Sequence, residues 1–542
     1  MLMNKTLLLC LAIFWVTALS AQTNDGMNAF NATTLRHDIA VLSSDSFQGR
    51  KPFTIGEQKT LSYLVKRYKE IGLEPGNNGA YLQEVPMVEL TCNADPVMTV
   101  KGAKGSFTLK SYDDYVVYSE KDQPEVEFDE NELVFAGYGV VAPEYGWNDY
   151  AGLDVKGKVV LVKVNDPGFG TEDTSLFKGR TMTYYGRWTY KYEEAARQGA
   201  KGCLVIHNTA AASYPFSVVQ NSLNTSKLHL DNRGKNVSNC DVVGWVSESA
   251  AQRLLAFAGQ DSSVLESANH RGFRPIPLGI NLSTTIKITS KYDKSYNVIG
   301  KITGSKFPNE YIVYSSHWDH LGIGKPDNTG DSVYNGAYDN ASGTAGLLQL
   351  AKAFHSMNPK PDRSIIFLSV TAEEQGLWGS AYYAENPVYP LKNTLANMNT
   401  DGLNRYGKTK DIVIVGRGQS DLEDYLINAA KKMNRVVSFE LHPEAGSYFR
   451  SDHFNFAKKG VPALYISPGV DIEGMGAAYG TQLKDKYTAE NYHRPSDQLI
   501  PSWTFTGAID DLKLLFLVGK QIAETSVWPG WKPGSEFKSL RP

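Results

Sequence analysis

The stretch Tyr311-Ile-Val-Tyr-Ser-Ser-His-Trp-Asp319 decides the fold class, because it joins an apolar strand-like run to polar side chains at its end. Short runs rich in Val, Ile and Tyr are typical of strands. Similar runs recur at 297–300, 364–368, 395–399, 412–415 and 462–466, and helical periodicity lies between them at 343–355, 420–433 and 506–522. Alternating strands and helices form largely parallel sheets with helices on both faces. We therefore predict an α/β fold from residue 296 onward.

The length of 542 residues predicts more than one domain, because single hydrophobic cores stop growing at roughly 250–300 residues. Between about residues 125 and 244 the pattern changes to short apolar runs with one helix at 190–198, which indicates a mainly β insert. We assign this insert to residues 121–289. The discontinuous α/β domain then comprises residues 22–120 and 290–530, and residues 531–542 form a tail. The insert's predicted strands are 133–135, 159–162, 203–206 and 242–245.

The N-terminus has the layout of a secretory signal peptide. Lys5 precedes an apolar run at 7–16, and small residues follow it at 18, 20 and 21. This run is too short for a comfortable membrane span. We expect residues 1–21 to be removed and the remaining protein to be secreted or periplasmic, with no membrane attachment beyond that peptide.

Composition excludes some partners and some metal chemistry. The formal net charge of −3 gives no electrostatic reason to expect nucleic acid as a partner. Beyond the leader the cysteines are Cys92, Cys203 and Cys240, so at most one intramolecular disulfide can form. Cys203 lies in an apolar run, where a buried thiol packs as a small hydrophobe. Because the chain has no Cys-x-x-Cys motif, a bound metal must be held by oxygen and imidazole.

Histidine and carboxylate side chains follow the predicted strands at their carboxyl ends. His317 follows the strand ending at 315, and Asp401 follows the strand at 395–399. Glu373 and Glu374 follow the strand ending near 370. In open α/β sheets the ligand crevice lies outside the carboxyl ends of the strands. We therefore expect these groups to converge on one edge.

Two further residues complete a candidate metal site. Asp339 stands just before the helix predicted at 343–355, which Asn340 or Ser342 can cap, and His493 lies in a proline-bearing loop near the end of the domain. Two histidines and three carboxylates suit a pair of zinc ions. Two metals about 3.5–4 Å apart can acidify a shared water and polarise a carbonyl. Of two adjacent glutamates, one can bind metal while the other serves as a general base.

The order of these motifs resembles a known enzyme family. His-x-Asp, Asp-Asn-Ala-Ser-Gly, Glu-Glu, Asp-Gly and Tyr-His with a downstream Asp follow one another as in the zinc exopeptidases, which include bacterial leucyl aminopeptidases and glutamate carboxypeptidase. The opening Phe47-Gln-Gly-Arg50 is similar to that family's N-terminal segment. Ala136-Gly-Tyr-Gly139, Gly157-Lys-Val-Val160 and Ala200-Lys-Gly-Cys-Leu-Val205 resemble a protease-associated domain. The resemblance implies a phosphorylase/hydrolase-like peptidase fold with an inserted protease-associated domain.

The same resemblance implies two zinc ions and five ligands to them. The ligands are His317, Asp339, Glu374, Asp401 and His493. Asp339 would bridge the two ions. One ion would take His317 and Asp401, and the other Glu374 and His493.

The resemblance also implies roles for residues beside the ligands. Glu373 would be the general base, and Asp319 would orient His317 through its other ring nitrogen. Arg450, in the segment Arg450-Ser-Asp-His453, would contact substrate, whereas Asp452 and His453 would be structural.

The implied function is a secreted exopeptidase, and first an aminopeptidase that acts on the N-termini of peptides or proteins. The insert would shape or restrict access to the site. A glutamate-type carboxypeptidase needs arginines to hold a terminal carboxylate, and only Arg405, Arg450 and Arg494 stand near the motifs. A dipeptidase stays open. Glutaminyl cyclase, which shares the fold with one zinc, and a receptor-like protein without metals are disfavoured by the complete ligand set.

Overall fold

The computed structural model describes residues 24–169, 171, 173–223, 226–235 and 238–541. The predicted signal peptide, residues 1–21, lies outside the described residues. Within these ranges the chain has the predicted α/β class, with a large central sheet flanked by helices. Across the same ranges, no helix combines the length and the apolar character needed to cross a bilayer.

Four adjacent strands run parallel in the centre of the α/β domain. In spatial order they are Arg363–Val370, Phe307–His317, Thr394–Asn399 and Ala463–Pro468. On one side the long strand Ile276–Ile302 pairs antiparallel with this group. On the other side Asp411–Val415 also runs antiparallel and pairs with Val436–Phe439. All six predicted strands are present, and the two outer ones reverse direction.

The central strand Phe307–His317 shows why helices cover both faces. Ile312 and Tyr314 pack into the larger core on one face, while Tyr311 and Val313 pack into a smaller core on the other. A strand that buries alternate residues on both sides needs helices on both sides. The helices over the larger core are Ala32–Leu42, Ile55–Ile71, Gly343–His355, Leu422–Lys432 and Thr506–Glu524. The helices on the other face are Trp378–Glu385 and His453–Ala457.

Local sequence explains where the helix Ile55–Ile71 begins and ends. The hydroxyl of Thr54 accepts a hydrogen bond from the N–H of Gly56, which caps the first turn. Gly72 has φ of +92° and donates its N–H to the carbonyl of Tyr68. A Cβ at Gly72 would lie 2.8 Å from the ring of His355, so glycine suits both the backbone and the packing here.

The insert has parallel strands of its own. In spatial order they are Glu125–Phe135, Val159–Lys163, Gly202–Ile206 and Val242–Val246. Tyr115–Tyr118 adds an antiparallel strand at the end of this group. The helices of this region are Trp188–Arg197, Thr209–Ala212, Phe216–Leu223, Glu248–Phe257 and Ser263–Ser267. The four predicted strands and the predicted helix at 190–198 are therefore present.

The hydrophobic core of the insert extends across the boundary predicted at residue 121. Met98, Val100 and Leu109 pack with the insert's own core residues. The strands that precede the boundary are Leu82–Ala94, Val97–Gly102 and Gly105–Lys110, and these three residues lie on the second and third of them. The first of these pairs with Ile276–Ile302 over thirteen residues, so the two chain segments that enter and leave the insert run side by side. The insert's hydrophobic core therefore includes residues from Val88 onward.

The predicted C-terminal tail packs against the α/β domain, since Trp531 and Phe537 are buried there with Phe449 and Phe454. Within the described part of the chain Cys92, Cys203 and Cys240 are all free thiols, and Cys203 is fully buried as predicted. The remaining strands are Glu74–Pro75, Val141–Ala142, Trp147–Asn148, Lys227–Leu230, Gly322–Ile323 and Val333–Tyr334, and the remaining helix of more than one turn is Ala477–Glu490.

Candidate metal and active site

The three central parallel strands deliver their polar side chains to one edge, as predicted. His317 is the last residue of its strand, and Asp401 follows two residues after the end of the neighbouring strand. Glu373 and Glu374 follow three and four residues after Val370, where the strand on the other side ends. Because parallel strands end on the same side of a sheet, these groups meet there.

Asp339 lies between the two predicted histidine ligands. Its Oδ1 is 3.4 Å from Nε2 of His317, and its Oδ2 is 3.2 Å from Nε2 of His493. On one side His317 Nε2 is also 3.2 Å from Asp401 Oδ1. On the other side His493 Nε2 is 3.1 Å from Glu374 Oε2. The structure therefore brings all five predicted ligands together, in two groups that share one carboxylate.

The donor set fits divalent zinc. Ligand atoms of His317, Glu373 and Asp401 lie within 4.8 Å of one another, and those of His320, Asp339 and Glu374 form a second such group. Imidazole nitrogen and carboxylate oxygen are common zinc ligands. These two groups place Glu373 and His320 beside the predicted ligands.

Electrostatics at this edge favour bound positive charge. Burial opposes charging of His493, but Glu374 and Asp339 outweigh it and raise the pKa of His493 to about 10. In the same way Glu373 and Asp401 raise the pKa of His317 well above its ordinary value despite burial. The carboxylates thus draw protons onto the imidazoles, and a divalent cation can supply that positive charge instead.

Asp319 holds the turn that carries the two glutamates. Its carboxylate accepts hydrogen bonds from the backbone N–H groups of Glu373 at 3.0 Å and Glu374 at 3.4 Å. Nδ1 of His317 is 3.2 Å from the carbonyl oxygen of Asp319 and 3.7 Å from its carboxylate. The backbone is the nearer partner of the imidazole, so the orienting role predicted for the Asp319 carboxylate stays a prediction.

Asn340 and Asp497 position Asp339. Asn340 Oδ1 accepts from the N–H of Gly343, which caps the helix Gly343–His355, and from the N–H of Gly402 beside Asp401. Of the two caps predicted, Asn340 is the one formed. The carboxylate of Asp497 accepts from the backbone N–H of Asp339 at 3.1 Å. The segment that bears the shared carboxylate is therefore tied down on both sides.

Arg50 connects the segments around the site through hydrogen bonds to their backbone carbonyls. It is 1% exposed and donates to four backbone carbonyls. Two of these belong to Trp318 and Gly336, in the segments that carry His317 and Asp339. Arg50 belongs to the N-terminal motif that resembles the family, but no role was predicted for it. A motif does not show which carbonyls a side chain reaches.

His320 and Ser451 were not predicted as site residues. Nδ1 of His320 contacts Oε1 of Glu374, and His320 is fully buried. Ser451 donates its hydroxyl to Oδ2 of Asp401 at 2.7 Å. The signal for His320 was its place directly after His317-Trp-Asp319. Ser451 stands in the segment singled out for Arg450, but its partner is fifty residues away in sequence.

Asp452 and His453, predicted to be structural, are both completely buried. Burial raises the pKa of Asp452 to about 7, and its Oδ1 accepts a hydrogen bond from Ser380. His453 packs on the rings of Tyr448 and Tyr465. Burial lowers the pKa of His453 to about 3, which keeps the imidazole neutral.

A cavity of about 480 Å³ adjoins the site and continues between the α/β domain and the insert. Glu373, Glu374 and Arg450 are among the residues that line it. The insert contributes aromatic side chains to the wall, among them Trp188 and Tyr214. This volume is in the range typical of sites for small ligands. The expectation that the insert shapes access to the site fits this wall.

Residues 297–517 match the family model described as peptidase family M28. The predicted resemblance to the zinc exopeptidases is therefore confirmed for this part of the chain. The chain is 26% identical over 216 residues to aminopeptidase NAALADL1 of Mus musculus, which covers 38% of this chain and 26% of that protein. It is 40% identical over 102 residues to a probable zinc metalloprotease of Pyrenophora teres, covering 19% and 20%. The chain thus spans about a quarter or less of the length of these relatives.

Among solved structures, the fold is similar to an aminopeptidase from Aneurinibacillus sp. strain AM-1. The match has a TM-score of 0.50 at 20% sequence identity and covers 96% of this chain and 98% of that one. At this identity the likeness shows a shared fold, which extends over the insert as well as the α/β domain.

Proposed function

We propose that this chain, whose residues 297–517 match peptidase family M28, is a two-zinc exopeptidase that releases N-terminal residues from peptides. The observation that carries the proposal is the carboxylate of Asp339, which faces His317 with one oxygen and His493 with the other. A carboxylate shared between two sets of ligands allows two ions to be held a few ångströms apart. Bound zinc would polarise the scissile carbonyl and lower the pKa of water.

His317 and Asp401 would hold one ion, Glu374 and His493 the other, and Asp339 both. Glu373 is free for proton transfer in this scheme, because the hydrogen bond from its backbone N–H to Asp319 fixes its turn while its carboxylate lines the cavity. It would take a proton from the attacking water and return that proton to the leaving amine. General bases of this kind contribute roughly 10²–10⁴-fold to rate.

The wall that the insert and the α/β domain form beside the site favours peptide ends over internal bonds. Side chains of the insert and of the α/β domain enclose the space next to Glu373. A free α-amine is a cation, so the carboxylates of Glu373 and Glu374 are natural partners for it. The printed names of NAALADL1 and of the Aneurinibacillus protein, both aminopeptidases, point the same way. The N-terminal leader pattern adds that the enzyme acts outside the cytoplasm.

A glutamate-type carboxypeptidase is the second candidate, and one observation favours it. The argument against it was that only Arg405, Arg450 and Arg494 stand near the motifs, yet Arg187 of the insert lines the same cavity as Arg450. The position of Arg187 in sequence, far from every motif of the site, did not reveal this proximity.

The deciding experiment compares peptides with free and blocked ends. We expect zinc-loaded protein to cleave dipeptides with a free amine and to leave their N-acetylated forms intact, to contain two zinc ions per chain, and to lose activity with a chelator. Cleavage of the N-acetylated forms alone would establish the carboxypeptidase. Glu373→Gln should lower kcat by about 10²–10⁴-fold with both zinc ions retained, whereas Glu524→Gln, an exposed glutamate on the last long helix, should not. Activity that survives chelation, or that survives Glu373→Gln, would refute the mechanism.

A further inference from the structure

Two arginines without acidic partners line the cavity. Arg187, directly before the helix Trp188–Arg197 of the insert, is 9% exposed. Its Nε is buried and has no hydrogen-bond partner, and over the described ranges its side chain forms no ion pair. A buried cation without a partner loses the hydration it had in the unfolded chain and gains no counter-charge.

Arg450 comes from the α/β domain and also lacks an acidic partner. Its Nε is also buried without a partner, and among the described carboxylates none pairs with it. Its guanidinium carbon lies 5.9 Å from the centre of the Tyr214 ring. Burial, and next the charge of Arg450, lower the pKa of Arg187 to about 9. Both side chains line the cavity that Glu373 also lines.

The other charged groups of the cavity leave this pair uncompensated. Lys458 is paired with Glu193 at 3.1 Å. Lys227 adds a further cation to the wall. Glu120 also lines the cavity and its pKa is raised to about 7 by burial and by Glu193, which favours its neutral form. The cavity wall thus combines cations that have no acidic partner with the carboxylates of Glu373 and Glu374.

We infer that Arg187 and Arg450 together bind a carboxylate of the substrate. This rests on the proposed function, because it places that carboxylate in the cavity next to the scissile bond. Arginine is suited to the task, since its guanidinium can donate two parallel hydrogen bonds to a carboxylate. The carboxylate is either the free C-terminus of a short peptide or an acidic side chain. The enzyme would accordingly act on short or acidic peptides, with the insert supplying half of the recognition.

The kinetic test uses matched pairs of substrates that differ only in charge. With X as the N-terminal residue that the wild type cleaves fastest, X-Ala is compared with X-Ala amide, and X-Glu amide with X-Gln amide. We expect kcat/KM to favour the charged member of one pair by about 10- to 100-fold, the range of one charge-assisted hydrogen bond or more. Which pair shows the preference identifies the source of the carboxylate.

The variants are Arg187→Gln, Arg450→Gln and, as a matched control, Arg197→Gln. Each of the first two should bring the preference to within about threefold of unity, because kcat/KM falls much more for the charged substrate than for the uncharged one. Arg197 is the last residue of the helix that Arg187 precedes. It pairs with Glu194 and is half exposed, so its variant should keep the preference. Equal rates within both pairs for the wild type, or equal losses on charged and uncharged substrates, would overturn the inference and leave the proposed function standing.

A binding measurement keeps the two proposals separate. N-acetylalanine and its amide are titrated calorimetrically into protein carrying Glu373→Gln, with and without Arg187→Gln. We expect the acid to bind at least tenfold more tightly than the amide only where Arg187 is present. If no peptide is cleaved, the proposed function fails, and this titration alone decides whether the arginine pair binds a carboxylate. Equal binding of acid and amide would overturn the inference.

Discussion

Replacement of Arg50 by methionine should loosen the segments that carry the candidate metal ligands. Methionine has similar bulk and no hydrogen-bond donor. The arginine donates to Trp318 O at 2.9 Å, Leu42 O at 2.7 Å, Asn335 O at 2.6 Å and Gly336 O at 3.0 Å. All four carbonyls lose this partner in the variant.

The size of the effect follows from two opposing contributions. Each buried acceptor left unpaired costs about 1–3 kcal/mol, so four of them cost about 4–12 kcal/mol at most. Burial lowers the pKa of Arg50 from 12.5 to about 10, and removal of that buried charge returns about 3 kcal/mol. The difference is a net loss of about 1–9 kcal/mol. Because some carbonyls can bond to water in the variant, we expect a value in the lower half of this range, about 4 kcal/mol of local stability.

Hydrogen exchange read by mass spectrometry measures this loss segment by segment, which suits a chain with several hydrophobic cores. A local loss of about 4 kcal/mol corresponds to roughly 10³-fold faster exchange in residues 315–342. Zinc affinity should fall in parallel. Arg417→Met, at an exposed arginine, serves as the control and should change neither. Exchange in 315–342 that accelerates less than about tenfold, with zinc affinity intact, would refute this account of Arg50.

Ser451→Ala removes the hydrogen bond to Asp401 Oδ2 and should weaken zinc binding about tenfold in a chelator competition titration. Asp497→Asn replaces an acceptor of the Asp339 N–H and should lower zinc affinity by about 10- to 100-fold in the same assay. Arg187→Met should raise the stability of the ligand-free protein by about 1–3 kcal/mol in urea unfolding, because it removes a buried cation without a partner. Burial raises the pKa of Glu57 from 4.5 to about 7, so the fold favours its neutral form, and wild-type stability should fall as pH rises from 4.5 through 7. In Glu57→Gln the free energy of unfolding that is lost between pH 4.5 and 7 should be smaller by about 1–3 kcal/mol. Urea unfolding followed across this pH range measures the difference.

Each of these variants has an outcome that contradicts its reasoning. Unchanged zinc affinity in Ser451→Ala or Asp497→Asn would show that those hydrogen bonds do not position the ligands. Destabilisation by more than about 1 kcal/mol in Arg187→Met would mean that its cation is compensated. A pH slope that persists in Glu57→Gln would assign it to other groups, and Glu127→Gln, at an exposed glutamate, should leave the slope as in the wild type.

The strand at 311–315 shows why much of the fold could be predicted. Its alternating burial and the helices around it follow from a local apolar pattern, so every predicted strand of both regions is present. The same pattern placed His317, Glu374 and Asp401 at strand ends, and parallel strands bring their ends together. The packing of Met98 and Val100 into the insert's core could not be predicted in this way, because it depends on antiparallel pairing with a strand some 180 residues later.

The amino-acid sequence by itself determined the order of elements and the candidate ligands, since apolar periodicity and side-chain chemistry are local properties. Only the tertiary structure decided which groups surround those ligands. Arg50 donates hydrogen bonds to distant carbonyls, Ser451 contacts Asp401, and Arg187 lines the same cavity as Arg450. In each case the residues are far apart in the chain. The packing of the hydrophobic cores brings together side chains that are this far apart in sequence, and no local pattern encodes that packing.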